Sequence, residues 1–369
     1  MTSAQLEIQL VAVVVAVACA LPGVFLVLRR LALVSDAISH AVLLGIVLAF
    51  FAVGDLSSPL LLVGAAATGL LTVFLIELLQ RTRLVREDAA IGLVFPALFS
   101  VGVILIARFA DTVHLDTDVV LLGELAFAPF ERFVLFGWDW GPEALVEMGF
   151  VLALNVLVIA LLYKELKLAT FDPGLALALG FSPALLHYGL MALVSITAVG
   201  AFDAVGSILV VALMVGPPAA AYLLTDRLPV MLGLAALGGA ASAVGGFWLA
   251  HALDASIAGS IAAVVGIEFG AAVLFAPKRG VVALARRHAR QRVEFAEAML
   301  AIHLLQHEGT PEALAESRVD HLDEHLRWER SFARRVVRRA ERRGYVVTTD
   351  GRLLLTDRGR ALARTALAV

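Results

Sequence analysis

Nine times along the chain an apolar run reaches about the 20 residues that a helix needs to cross bilayer hydrocarbon, and a chain written this way has few folds open to it. Lipid offers no partner to a bare N–H or C=O, so such runs must close their hydrogen bonds within helices. The spans are read at about 8–28, 31–51, 58–80, 88–108, 142–163, 183–202, 205–224, 228–250 and 257–276. Residues of hydrophobic type make up 60% of the chain, with a mean hydropathy of +0.91. The expected class is an all-α polytopic membrane domain. Cys19, the single cysteine, lies inside the first run. That rules out an intrachain disulfide and a cysteine-rich zinc site, and leaves it a packing role.

Charge divides the chain in two. Residues 1–277 carry 10 Lys/Arg against 20 Asp/Glu, whereas residues 278–369 carry 19 against 12, and the apolar spans stop at the same place. This predicts a transmembrane domain over 1–277 and a basic, soluble domain over 278–369. Arg29/Arg30, Arg81/Arg83/Arg86, Lys164/Lys167, Arg227 and Lys278/Arg279 fall in alternate connections. By the positive-inside rule those connections are cytoplasmic, which puts the N-terminus outside and the C-terminal domain in the cytoplasm. The first run has its bases after it and none before it, the reverse of a secretory signal peptide, so it is expected to remain as a span.

Asp36 and His40 stand inside the second run, LALVSDAISHAVLLGIVLAFF. Their four-residue offset puts both on one helical face. Ionisable groups within a span are costly, roughly 2.5–3.5 kcal/mol on insertion scales for a charge at the bilayer centre, and usually mark an ion or substrate path. A carboxylate beside an imidazole suits a divalent cation such as manganese, ferrous iron or zinc. With only two protein ligands, the pair would hold an ion loosely enough to release it.

The long external connection, about 109–141, holds Asp111, His114, Asp116, Asp118, Glu124, Glu131 and Asp139 against the single base Arg132. It reads either as an acidic mouth that concentrates cations or as a solvated loop. His114, Asp116 and Asp118 alternate, so they can converge on an entering metal. Between Lys164 and Pro183 the chain predicts a short cytoplasmic helix, capped by Asp172 with Pro173 at its first position; it reads as a lever or as a surface connector. Val215-Gly216-Pro217-Pro218 is expected to interrupt the hydrogen-bond ladder of its span and kink it. Glu268 lies mid-span between Gly266 and Gly270, a spacing that lets helices approach, and serves either an ion route or a hydrogen bond to a neighbouring helix. Asp203, His251 and Asp254 fall at external span ends, as interfacial residues. No GxxxxGK[ST] pattern occurs, so any ATP that powers transport must bind another chain. HExxH and GxSxG are absent too, which argues against a protease.

The segment RRLALVSDAISHAVLLGI (Arg29–Ile46) resembles the second-span signature of permease subunits in the manganese, zinc and iron family of binding-protein-dependent ABC importers. VHLDTDVVLLGELAFAP, LKLATFDPGLALALGF, VGSILVVALMVGPPAAAYLLTDRL and LDASIAGSIAAVVGIEFGAAVLFAPKRG continue the match in order. The resemblance covers essentially the whole membrane domain. It implies a multi-pass permease of a prokaryotic plasma membrane, not itself an enzyme, that pairs with a second permease subunit in a homodimer or heterodimer. It also implies a cytoplasmic ATP-binding subunit docked at Phe171, Asp172, Pro173 and Gly174, and a metal-binding lipoprotein outside the cell. Asp36 and His40 match the family's metal-pathway pair; His114, Asp116 and Asp118 match its external acidic segment, though Val119 stands where the family often has a histidine. The HLDxD loop and the SIAG-to-FAP ending are similar to the manganese/iron branch more than to the zinc branch.

In the tail, helical periodicity over Phe295–Gln306 and Leu314–Leu326 precedes the arginine-rich Trp328–Arg343 and then two short strands about a turn at Asp350-Gly351. That order spells a winged helix, an α+β domain, and RRGYVVTTDGRLLLTDRGRALA (Arg342–Ala363) resembles the wing and following helix of diphtheria-toxin-repressor-type metalloregulators. The chain ends where those repressors continue into their metal-binding part. Arg334, Arg335, Arg338 and Arg339 can meet DNA phosphates, anionic lipid, the ATPase or the domain's own acids. Three functions follow from different classes: the permease of an ATP-driven metal importer, manganese or iron before zinc, which the motifs favour; a membrane-tethered DNA-binding regulator; and an ion-coupled secondary metal transporter.

Overall fold

The structure is a computed structural model that describes residues 2–54, 58, 60–109, 125–135, 138–311, 313–318 and 328–367. It divides into two compact units, Met1–Gly280 and Val281–Val369. Among the described residues the first unit holds nine helices long and apolar enough to cross a membrane. They are α1 Ser3–Leu28, α2 Ala32–Val53, α3 Leu60–Arg81, α4 Glu87–Phe109, α5 Glu143–Leu161, α8 Pro183–Val205, α9 Ser207–Leu224, α10 Leu228–Leu253 and α11 Ile257–Phe275. Two short helices, α6 Tyr163–Phe171 and α7 Pro173–Ala178, join α5 to α8.

Each expected span is present, and most ends move by only two or three residues. The exception is α1, which starts five residues early because Thr2 and Gln5 form a capping box. The Gln5 backbone N–H donates to the Thr2 hydroxyl and the Thr2 N–H donates to the Gln5 side chain. Connection 109–141 was expected to be a loop. Its described part instead forms a hairpin, β1 Arg132–Leu135 with β2 Trp138–Pro142, an addition to an all-α reading. Arg132 pins this hairpin, donating to Asp139 at 2.7 Å and to Glu7 of α1 at 3.0 Å. The guanidinium and the Gly141 N–H hold the Asp139 carboxyl below the usual carboxylate range.

These helices are apolar all round, so burial alone cannot orient them; close approach and polar contacts must. α1 packs on α5, α8, α9 and α10, and α2 on α3, α4, α8 and α9. Gly45 of α2 faces Gly64 of α3 so closely that a Cβ on Gly45 would lie 2.3 Å from the Gly64 carbonyl oxygen. Asn155 of α5, fully buried, donates to the Ala18 carbonyl of α1 and to Thr197 of α8, both at 2.9 Å. Asn155→Val should therefore destabilise the unit by about 1 kcal/mol, the scale of interhelical hydrogen bonds in membranes. A thermal melt in detergent checks this, and an unchanged midpoint would contradict it.

The expected break in the hydrogen-bond ladder of α9 is present at its prolines, although the helix is not divided there. Pro217 and Pro218 lie inside a continuous helix and are buried. Their rings leave the Leu213 and Met214 carbonyls without helical donors. The Met214 oxygen is instead covered by α1, where a Cβ on Gly23 would sit 2.1 Å from it. Gly266 and Gly270 depart from expectation: a Cβ on either would meet nothing within 4 Å, so among the described residues they bring no helix close.

The second unit contains α12 Val281–His307, α13 Ala313–Glu316, α14 Arg330–Arg342, the antiparallel pair β3 Val346–Thr349 and β4 Arg352–Leu355, and α15 Asp357–Leu367. Asp350 (φ 51°) and Gly351 (φ 75°) form the two-residue turn between the strands, the conformation that Asp-Gly favours in hairpins. Leu300, Leu304, Val336, Val337, Val346 and Leu353 make its core. Lys278 and Arg279, which the charge count assigned to the tail, belong to the first unit, where both pair with Asp226.

Candidate functional site

Helix α2 begins after a tight reversal. The Leu31 N–H reaches back to the Leu26 carbonyl at 2.8 Å while Arg30 takes a left-handed conformation, φ 63°, the geometry that ends many helices and that glycine usually fills. One turn into α2, Asp36 Oδ1 lies 3.4 Å from His40 Nε2. At 1.5 Å rise per residue the two stand roughly 6 and 12 Å from the helix start, in its first half rather than at its middle. α4 supplies the neighbouring aromatics. Phe95 stacks on the His40 ring at 5.7 Å between centroids, and Phe99 meets its edge at 6.3 Å. The His40 and Asp36 side chains remain 31% and 40% exposed. Among the described residues no third His, Cys, Asp or Glu clusters with them. Two donor atoms 3.4 Å apart suit adjacent positions around one ion, because bonds of about 2.0–2.1 Å at tetrahedral angles put ligand atoms roughly 3.3–3.4 Å apart.

Asp172 sits between the two connector helices, ending α6 and starting α7. Its carboxylate accepts from the Leu175 N–H at 2.9 Å, and Pro173 holds the first helical position. The connector presents apolar surface outward: Phe171 is 60% exposed, with Leu175, Leu177 and Leu179 also open. A Cβ on Gly174 would meet the Asp172 carboxylate only at ordinary contact, 3.5 Å. Removing the cap in Asp172→Ala should cost the connector about 1 kcal/mol and speed amide exchange over Pro173–Ala178. Unchanged exchange there would show that the cap does not hold α7.

A second constellation, which the sequence reading missed, joins this connector to α2's entry. Arg29 donates to the Thr170 hydroxyl at 3.1 Å and lies 3.3 Å from His187 Nδ1. A guanidinium only donates, so Nδ1 accepts and the proton sits on Nε2, which is 2.7 Å from Glu77 Oε1. Tyr188 donates to the other Glu77 oxygen at 2.5 Å. Arg29, Arg30, Thr170, Pro173, Pro183 and His187 line a cleft of about 440 Å³. Side chains from the end of α1 and from α3, α6 and α8 are thus tied together beside the connector. The sequence signal was three polar residues near span ends, Arg29, Glu77 and His187, and Thr170 in the connector, too far apart in the chain to suggest contact.

The remaining candidates separate. Glu268 accepts from Ser242 of α10 at 2.7 Å, and a Cβ on Gly238 would lie 2.1 Å from its carboxylate; the hydrogen-bonded contact between helices is the reading this geometry gives. His114, Asp116 and Asp118 lie outside the described residues. In the second unit Arg334, Arg335 and Arg338 are exposed, but Arg339 is engaged within it, 3.2 Å from both Glu294 and Glu297. Arg343 also meets Glu297, at 3.0 Å. Burial pushes the Glu297 carboxyl up while the two guanidinium groups oppose that shift.

A bundle of spanning helices with an ionisable pair half-open in its wall belongs to the class of membrane transport proteins. More particularly, the chain belongs to the ABC 3 transport family, whose sequence model matches residues 3–276. It is 52% identical over 364 residues to the zinc transport system membrane protein TroD of Treponema pallidum (strain Nichols), a match that covers 99% of each chain. With the manganese transport system membrane protein MntD of Bacillus subtilis (strain 168) it shares 52% identity over 270 residues, 73% of this chain and 91% of that one. Its fold is similar to the solved structure of PsaBC from Streptococcus pneumoniae in complex with Fab, with a TM-score of 0.64 and 29% identity, covering 77% of this chain and 96% of that one.

Proposed function

We propose that this chain is the permease subunit of an ATP-driven importer of divalent transition-metal ions, and that Asp36 and His40 form the ligand pair of its pathway. The observation that carries the reading is the 31% and 40% exposure of two ionisable side chains inside a spanning helix. Against lipid that arrangement is costly; against a water-lined path or a second permease subunit it is not. An imidazole and a carboxylate bind manganese, iron and zinc alike. Manganese or iron is favoured over zinc by the HLDxD loop and the SIAG-to-FAP ending. The zinc reading has its own support in the relative named for zinc transport, which matches the chain over its whole length.

The other parts follow from this reading. The exposed Phe171 with Asp172, Pro173 and Gly174 forms the dock for a cytoplasmic ATP-binding subunit, and the Arg29–Thr170–His187–Glu77 ties carry its movement to the start of α2. A metal-binding lipoprotein delivers the ion from outside to the acidic segment at His114, Asp116 and Asp118. The transmembrane domain, Met1–Gly280, is followed by a cytoplasmic domain, Val281–Val369, a winged helix that serves assembly or regulation. The test is uptake of manganese, ferrous iron and zinc measured in parallel in cells that carry the chain with its ATPase and binding protein. Saturable uptake of manganese or iron in preference to zinc supports the full reading. Preference for zinc overturns the choice of metal, and no metal uptake overturns the function.

A further inference from the structure

In the second unit His303 and His307 stand one turn apart on α12, so both rings lie on one face, with centroids 4.9 Å apart. The chain then reverses through Gly309 (φ 83°), and the Thr310 hydroxyl donates to the His307 carbonyl at 2.8 Å. This turn returns Glu316 of α13 to the same face, its Oε2 3.4 Å from His303 Nε2. One donor atom from each of the three side chains lies within 4.8 Å of the other two. Only 11% of the His303 side chain and 9% of the Glu316 side chain are exposed.

We propose that His303, His307 and Glu316 bind a divalent transition-metal ion, with Zn2+ as the best fit. Two imidazole nitrogens and one carboxylate oxygen are a ligand set that zinc takes, leaving a fourth position for water. Calcium and magnesium prefer oxygen alone, so the two rings select against them. The 3.4 Å between His303 and Glu316 already equals the edge expected for ligands about 2.0–2.1 Å from a tetrahedral ion. His307 is the most open of the three, and its ligand atom lies within 4.8 Å of the other two. Removal from water strengthens the carboxylate's attraction for a cation. The site lies in a different unit from Asp36 and His40 and does not depend on the transport reading. Once filled, it ties α12 to α13 and stabilises the second unit in proportion to the logarithm of free metal.

The experiment uses the purified full chain carrying Asp36→Asn and His40→Ala, so that the membrane pair adds nothing. Zinc retained per chain after equilibrium dialysis is measured with and without His303→Gln/His307→Gln, and in a separate Glu316→Gln variant. The expected result is one zinc fewer per chain in the double histidine variant. In Glu316→Gln, affinity should weaken at least roughly 10–100-fold, the loss that even a supporting group causes. Cobalt(II) is the second probe: the intense visible bands of four-coordinate cobalt should form on the parent and not on the histidine variant. If that variant does not fold, as judged by circular dichroism and gel filtration, His307→Asn alone decides. Zinc bound at parental stoichiometry and affinity in the variant that is read would overturn the proposal.

Discussion

Metal uptake in cells carrying Asp36→Asn with His40→Ala is expected to fall below about a tenth of wild type, since losing a ligand should cost at least what losing a supporting group does, while the protein still inserts and accumulates. The two effects separate because neither side chain fills the core. Both are partly exposed, and α2 is positioned by other contacts, chiefly Gly45 against α3 and its packing on α4, α8 and α9. Asp36→Asn alone keeps the shape and removes the charge, so it should lower uptake with little change in thermal midpoint. His40→Ala also takes a ring from beside Phe95 and Phe99 and should cost some stability as well. Normal uptake in the double variant would return both residues to a packing role.

The largest structural effect is expected at Gly45. A side chain there points at the Gly64 backbone, and the first carbon alone would stand 2.3 Å from a carbonyl oxygen. No rotamer relieves a clash made by Cβ, so the helices must separate. Overpacking of this kind costs about 1–3 kcal/mol or more, and Gly45→Leu should lie at the upper end of that range. Because α2 carries Asp36 and His40, the variant should lose uptake together with stability, whereas the double substitution above loses uptake alone. A detergent melt beside an uptake assay distinguishes them. A stable, active Gly45→Leu protein would show that the α2–α3 contact can open without consequence.

What was legible in the sequence was whatever local chemistry determines. Spans appear in composition because a helix in lipid must be apolar over its whole length, and their ends moved little. Asp172-Pro173 and Asp350-Gly351 were readable because a cap and a two-residue turn depend on neighbours in the chain. The i, i+4 pair Asp36–His40 was readable for the same reason, since helical geometry alone brings the two together. Thr2 with Gln5 also carries a local signal, the capping box that starts α1 ahead of the first apolar run.

The parts that escaped are those made across the fold. Arg29, Glu77, Thr170 and His187 come from four separate segments, and nothing near any of them in sequence points to the others. Gly266 and Gly270 have the spacing of a close-packing motif, yet a Cβ on either would meet nothing within 4 Å among the described residues, whereas Gly45, at the same spacing from Ala41 and Ala49, makes the close approach to Gly64. Packing in a membrane bundle is set by which small residue meets which backbone, and that requires the third dimension. Arg132 read as the one base of an acidic loop; in the fold it is bound to both Asp139 and Glu7 of α1, a trio that keeps one net negative charge. Arg339 likewise sat in a basic helix that reads as a contact surface, yet it faces Glu294 and Glu297 of its own unit.

The measurement that tests the central claim most directly is manganese uptake into vesicles reconstituted with this chain, its permease partner and the ATP-binding subunit, with the binding protein supplied outside. The account predicts uptake that requires hydrolysable ATP on the ATPase side, persists when proton and sodium gradients are collapsed, and disappears with Asp36→Asn/His40→Ala. Uptake that proceeds without ATP and follows a proton or sodium gradient would contradict it.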